Sequence, residues 1–179
     1  MVAPEINIVR ATENDTELLS DLSNATFIET FRGTCPDEDL MSFLDKYFTT
    51  KSIYKELTDS DDLYYIAYVD GFSAGYMRLK EDYSELHYMK KYKALQLKRI
   101  YILDEFQGKK IGKALLNYAI QIAEEKDYEV LWLGVWEENN KAKNFYQDFG
   151  FEDTGYKATF NIGNTAQTDN WLFKFIEHH

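Results

Sequence analysis

Apolar positions along the chain change their spacing several times, and each change predicts an element. Ile6 and Ile8 alternate with polar neighbours as far as Arg10, which predicts a short first strand. After Asn14 or Asp15, either of which suits a helix cap, Leu18, Leu19, Leu22, Ala25 and Ile28 recur at helical spacing. Pro36 interrupts the chain after Gly33, and Asp37 opens a second helical segment carrying Leu40, Phe43, Leu44 and Tyr47, with a continuation through Ile53 and Leu57. Leu63–Val69 and Phe72–Leu79 are rich in aromatic and β-branched residues, and the Asp70-Gly71 pair between them predicts a tight hairpin. The polar, tyrosine-rich, aperiodic stretch Glu81–Lys91 reads as a long loop leading into a strand over Ala94–Leu103.

Helical spacing returns with Ile111, Ala114, Leu115, Tyr118, Ala119, Ile122 and Ala123, ending near Lys126, so a strand feeds a helix through a glycine loop. Val130–Val135 is almost wholly apolar, as expected of a strand buried on both faces. Asn139–Asp148 predicts a short helix closed by Gly150, and strands over Glu152–Asn161 and Gln167–Ile176 flank the turn at Gly163-Asn164. The order predicts one α/β domain over residues 1–177, with a mixed sheet and neither an internal repeat nor a linker. His178 and His179 fit a native end or the remains of an expression tag and enter no functional argument.

The length of 179 residues suits such a single domain. A net charge of −11 argues against a nucleic-acid partner, which would need a basic face. The single Cys35 makes no internal disulfide and no four-cysteine zinc site, in keeping with a reducing cytoplasmic setting. Pro4, Glu5, Asn7 and Arg10 occupy the place of a signal peptide's apolar run, and no stretch reaches the roughly 18 apolar residues of a membrane span. Neither export nor a membrane partner is expected. The charge is unevenly placed: up to Asp62 only Arg10, Arg32, Lys46, Lys51 and Lys55 oppose a large acidic set. Between Lys90 and Lys113, by contrast, eight basic residues face only Asp104 and Glu105. Solvated helix and loop faces account for such runs in the plainest reading; two ligands of opposite charge account for both together.

Candidate chemistry concentrates in Gln107-Gly108-Lys109-Lys110-Ile111-Gly112-Lys113. Glycines let a backbone approach a phosphate, and the first turn of the following helix offers free N–H donors. A Walker loop is excluded, because three residues rather than four separate Gly108 from Gly112 and Ala114 stands where Ser or Thr is required. The dinucleotide fingerprint is excluded by Lys110 at its second glycine. A tight strand-to-helix turn with no ligand also explains the glycines.

The segment RIYILDEFQGKKIGKALL, Arg99–Leu116, resembles the first coenzyme A motif of the GNAT family of N-acetyltransferases, a strand followed by Q/R-x-x-G-x-G/A and a helix. Downstream, Asn139, Ala142, Phe145, Tyr146, Gly150 and Phe151 are similar to that family's second motif at the expected distance. The resemblance implies a mostly antiparallel sheet of about six to seven strands flanked by about four helices, acetyl-CoA as cosubstrate, and no metal. It implies that the backbone of Ile100, Tyr101 and Ile102 holds the pantetheine arm and that Gln107, Gly108, Lys109, Lys110, Ile111, Gly112 and Lys113 cradle the pyrophosphate. It also implies that Asn139 contacts the coenzyme A arm and that Tyr146 protonates the departing thiolate. Lys110 stands where the motif usually has its first glycine, which a negative φ would accommodate.

The reaction implied is attack of a neutral amine on the thioester carbonyl. An alkylammonium with a pKa of about 10.4 is deprotonated only to about one part in 10³ near neutrality, so a base or water relay is needed. Some relatives place Glu before the strand arginine; Lys98 is there in this chain, leaving Glu29 and Glu137 as substitutes, with Trp136 beside them as an acceptor-binding candidate. Phe27–Phe31, Trp132–Glu137 and Gln167-Thr168-Asp169 are most similar to the bacterial PaiA-type polyamine acetyltransferases. That likeness implies spermidine or spermine as acceptor, and the acidic first third suits a polycation. A protein N-terminus, a lysine or another small amine are the alternatives, as is a low-turnover coenzyme A-binding regulatory module. Members of the family are often dimers, so a homodimer is a further expectation of the resemblance.

Overall fold

A computed structural model of the chain describes residues 2–82 and 89–178. Its sheet has seven strands in the order β1-β2-β3-β4-β5-β7-β6. These are β1 (Ile6–Arg10), β2 (Asp62–Val69), β3 (Phe72–Glu81), β4 (Ala94–Ile102), β5 (Val130–Trp136), β6 (Glu152–Ile162) and β7 (Thr165–Phe175). Five helices accompany them: α1 (Thr16–Phe31), α2 (Asp37–Tyr47), α3 (Thr50–Leu57), α4 (Ile111–Glu125) and α5 (Asn140–Asp148). All neighbouring strands are antiparallel except β4 and β5. The expected hairpin forms with Asp70 at φ 49° and Gly71 at φ 86°, the left-handed pair that matches strand twist.

Two details of the first helical region differ from the sequence expectation. Asp15, one of the two expected caps, is the N-cap residue of α1 but makes no side-chain cap bond; instead Thr12 caps a short 3-10 turn ahead of the helix, its hydroxyl accepting from Asn14 N while Asp15 accepts from Thr12 N at 2.8 Å to close a capping box. The buried face of α1 is Leu19, Ser20, Leu22, Ser23, Thr26, Phe27 and Phe31, with Leu18 and Ile28 of the expected stripe only partly buried beside it; Thr26 meets its hydroxyl on Leu22 O and so tolerates burial. The single helix expected over Asp37–Leu57 is two helices. Thr49 caps α3 by accepting from Ser52 N, and the carbonyl of the buried Phe48 accepts from Ser20 Oγ at 2.6 Å, so both groups find partners at the break. Of the loop expected over Glu81–Lys91, residues 83–88 lie outside the described residues.

The sheet is covered on both faces. α4 packs Leu115, Leu116, Ala119 and Ala123 against Met77, Leu79, Leu95 and Leu131, while α1, α2 and α3 cover Tyr64, Ile66 and Tyr76 on the other face. Between β4 and β5 the sheet opens. Their parallel pairing is confined to Ala94–Gln96 against Val130–Trp132, after which β4 runs on to Ile102 and β5 to Trp136 without pairing with each other. No helix is long and apolar enough to cross a membrane among the described residues.

Candidate active site

The splayed strands hold a cleft of about 1410 Å³. One side is the free edge of β4 through Leu97–Ile102 and the other is Leu133–Trp136 of β5; the start of α4 closes one end and α5 lies across it. A strand edge without a partner presents N–H and C=O groups that an extended ligand can pair with.

At the α4 end the backbone is arranged for an anion. Gly108 has φ 80° and Lys110 has φ 64°, so the loop turns twice through left-handed geometry before the helix. No side chain caps α4, whose first intrahelical bond runs from Ala114 N to Lys110 O, leaving the N–H groups of Ile111, Gly112 and Lys113 for a ligand. The φ of Lys110 is left-handed, so the negative φ that would accommodate a lysine is not what the chain adopts, which explains why glycine is usual there. A Cβ on Gly112 would stand 3.2 Å from Ile102 Cδ1 and 3.6 Å from Phe145, so its absence lets the first turn sit close to β4. Lys110, Lys113 and Lys141 line this end, and Lys141 Nζ also meets Gln107 Oε1 at 3.3 Å. These residues fit coenzyme A: a free edge for the pantetheine amides, then converging amides and lysines for the diphosphate.

The other end is walled by rings from α1, α2, β5 and β6. Phe27 stacks on Phe43 with centroids 4.5 Å apart, and Phe31 lies 5.3 Å from Trp136 and 6.0 Å from Phe160. Between the two ends stand Tyr101 of β4, Tyr146 of α5 and Asp169 of β7. Burial raises the phenol pKa of Tyr146 well above its ordinary value, so the phenol is protonated at any working pH. Burial also raises that of Tyr101, which lies within electrostatic reach of both Asp169 and Tyr146. Asp169 is pushed up to about 6 by burial alone.

Arg99 is fixed beside this end by a partly buried charge cluster. Its guanidinium pairs with Glu56 at 3.1 and 3.2 Å, donates to Tyr64 Oη at 2.6 Å and lies 4.9 Å over the Phe48 ring. Tyr64 in turn donates to Glu56, and Arg78 joins Glu56 at 3.4 Å and Asp62 at 2.6 Å.

Most residues expected at the site line the cleft: Ile100, Tyr101, Ile102, Gln107, Gly108, Lys110, Ile111, Gly112, Lys113, Trp136, Asn139 and Tyr146. Three are committed elsewhere. Lys109 lies over the Phe106 ring at 5.4 Å, Glu29 accepts from Asp104 N at 2.8 Å, and Glu137 pairs with Lys157 at 3.1 Å. Asn139 uses its side-chain oxygen to cap α5 through Ala142 N. Lys98 lines the cleft and pairs with Asp82 at 3.5 Å, and desolvation lowers its pKa. The sequence placed Asp169 and Phe27–Phe31 within segments resembling the polyamine acetyltransferases but assigned Asp169 no site role, and of the rings it offered only Trp136 as an acceptor contact. The signal for Asp169 was a carboxylate in register with Gln167 and Trp171 on one face of a central strand.

A parallel strand pair opened beside an uncapped helix start, with a protonated tyrosine between them, defines an acyltransferase that takes its acyl group from a coenzyme A thioester. Residues 22–151 match the acetyltransferase (GNAT) family, and the chain belongs to it as an acetyl-CoA-dependent N-acetyltransferase. It is 34% identical to an "uncharacterized N-acetyltransferase in pepI 3′ region" of Lactobacillus delbrueckii subsp. lactis over 171 residues, covering 96% of this chain and 98% of the relative. It is 28% identical over 155 residues to the spermidine N(1)-acetyltransferase of Thermoplasma acidophilum, covering 83% of this chain and 91% of that protein. Among solved structures, the PaiA N-acetyltransferase of Thermoplasma acidophilum in complex with coenzyme A superposes with a TM-score of 0.75 at 23% identity, covering 96% of this chain and 99% of that one.

Proposed function

We propose that the protein acetylates the primary amine of a small, flexible acceptor, with a polyamine such as spermidine or spermine as the substrate class. The observation that carries this reading is the ring-walled end of the cleft meeting Tyr146 and the free β4 edge. Acetyl-CoA supplies an activated acetyl group there. The β4 edge and the α4 amides hold its arm and diphosphate, and the developing oxyanion lies near backbone N–H groups of β4. Tyr146 gives its phenolic proton to the departing thiolate. A thiol has a pKa of about 8.5 in water, and the burial that raises the phenol raises a thiol in the same place, so the transfer stays within reach.

Two observations support the polyamine. A relative aligned over most of the chain is a spermidine N(1)-acetyltransferase, and the rings accept both methylene chains and the cations between them. A chain carrying −11 charges also attracts a polycation from a distance. A specific observation favours a second reading, an amine with a single positive charge such as a peptide N-terminus. α1 and α2 present rings to the cleft rather than carboxylates, and of the three lining carboxylates among the described residues Asp104 and Glu138 flank the coenzyme end, leaving Asp169 at the acceptor end.

Thiol release from acetyl-CoA, compared with spermidine, spermine, an N-terminal peptide and a lysine peptide, tests the reading. The expected result is the highest kcat/KM for a polyamine; turnover concentrated on a peptide rejects the polyamine and keeps the mechanism. Tyr146→Phe is expected to lower kcat by about 10²–10⁴ with acetyl-CoA affinity unchanged, and an unaltered kcat removes Tyr146 from the chemistry.

A further inference from the structure

We infer that Asp169 is the anchor for the acceptor's ammonium group and the base that receives its protons, an assignment that rests on the acetyl-transfer reading above. Asp169 pairs in register with Trp136 of β5 and with Ala158 of β6, in the interior of the sheet. Its carboxylate leans across Gly134, where an added Cβ would stand 3.0 Å from Oδ2. The missing side chain at Gly134 therefore leaves the carboxylate open to the cleft that both residues line. Among the described residues no hydrogen bond or ion pair satisfies it, and the burial that raises its pKa is not offset by any neighbour.

An unpaired, partly dehydrated carboxylate is costly, and structural carboxylates in this chain are paired. Glu56 and Asp62 hold arginines, Asp39 accepts from Asn164 N and the Thr165 hydroxyl, and Glu29 accepts from a backbone amide. What would satisfy Asp169 is a cation delivered by a ligand. The titratable neighbours are engaged elsewhere or uncharged. Tyr101 of β4 and Tyr146 of α5 are neutral phenols, Arg99 of β4 is held by Glu56, and Lys157 of β6 is held by Glu137. Lys98 is paired with Asp82, and Lys46 of α2 lies over the Tyr47 ring. The preferred acceptor is a primary ammonium on an apolar stem long enough to lie against Phe31, Trp136 and Phe160.

The proton balance follows. The bound ammonium gives one proton to the Asp169 carboxylate, which passes it to solvent, and the neutral nitrogen attacks the carbonyl carbon. As the C–N bond forms, the nitrogen's remaining excess proton moves to Asp169. The C–S bond breaks and Tyr146 protonates the thiolate, the phenolate being reprotonated through the cleft by the proton held on Asp169. Of the two protons lost by the ammonium, one ends on the thiol and one in solvent.

The test compares wild type with Asp169→Asn and Asp169→Glu. Calorimetry measures acetyl-CoA binding, and then spermidine and phenethylamine binding to the coenzyme A complex, at pH 5 and pH 7.5. The wild-type complex is expected to bind amine several-fold and up to about tenfold more weakly at pH 5 than at pH 7.5. Asp169→Asn is expected to bind acetyl-CoA normally, to lose at least tenfold in amine affinity at pH 7.5, and to lose the acid limb of its kcat/KM profile. Asp169→Glu, which restores the charge, is expected to recover part of both. Retained amine affinity and an unchanged acid limb in Asp169→Asn overturn the proposal alone. Failure of the wild-type complex to bind or acetylate either amine overturns the small-amine reading of this acceptor end, and the proposal with it.

Discussion

Lys110 combines two demands in one residue. It sits at φ 64° as the residue preceding α4, a conformation that crowds the Cβ of an L-residue against its own backbone at a cost of roughly 1–2 kcal/mol. It also brings a charge to the end of the cleft where the α4 amides converge. Lys110→Gly relieves the crowding while adding chain entropy to the unfolded state, so the net gain expected is about 1 kcal/mol, or a rise of about 2–4 °C in Tm. The lost charge should weaken acetyl-CoA binding less than tenfold, with most of the difference vanishing at high salt, because the backbone amides remain. Thermal melts and salt-dependent calorimetry read the two effects separately, and a lowered Tm would show that Lys110 is not strained. At this scale the sequence was readable for where the backbone lies, since most of the glycine loop and the β4 residues line the cleft as the motif implies, though not for the left-handed φ of Lys110. It was not readable where the role depends on what faces a side chain. Glu29 and Glu137 had the right chemistry and were spent on a backbone amide and a lysine, while Asp169 was open to the cleft because a strand neighbour is Gly134.

Elements were legible in proportion to how local their causes are. The Asp70-Gly71 hairpin, the change to helical spacing at Ile111 and the Gly150 helix end are written within a few residues each. The break between α2 and α3 is not, because Ser20 of α1 satisfies the carbonyl of Phe48 and only the folded chain brings them together. The same long-range logic explains Glu56. From α3 it reaches Arg99 on β4, Arg78 on β3 and the Tyr64 hydroxyl on β2, and so ties the helix to the strands beside the cleft. Removing one member of such a cluster leaves partly buried charge without compensation. Glu56→Gln is therefore expected to cost about 3 kcal/mol in urea denaturation and to release Arg99 from its place beside Phe48. If the loss is below about 1 kcal/mol, the cluster behaves as an exposed surface pair and does not fix the strand.

At the scale of the whole molecule, the uneven charge of the sequence is in part an internal arrangement. Part of the acidic first third, Glu56, Asp59 and Asp62, neutralises Arg78, Lys80 and Arg99, and Asp39 fastens α2 to the β6–β7 turn. Three lysines after β4, Lys110, Lys113 and Lys141, gather at the coenzyme end. Among the described residues Asp169 is the cleft carboxylate left unpaired at the acceptor end, and its cost is set by the sign of its shift. A carboxylate raised from about 3.9 when unfolded to about 6 when folded favours the folded state while protonated, so that stability is present below pH 4 and is lost as pH rises through 6. Two pH units correspond to about 3 kcal/mol, and water at the open side of the cleft reduces this to on the order of 2. Asp169→Asn is therefore expected to match wild type in stability near pH 4 and to exceed it by on the order of 2 kcal/mol at pH 7.5, even as it loses amine binding. Urea titrations of both proteins across that range measure the difference, and bound spermidine should narrow it at pH 7.5 by stabilising wild type alone. Equal stability at every pH would mean that the carboxylate is fully solvated in the folded chain, and that nothing in the cleft waits for a cation.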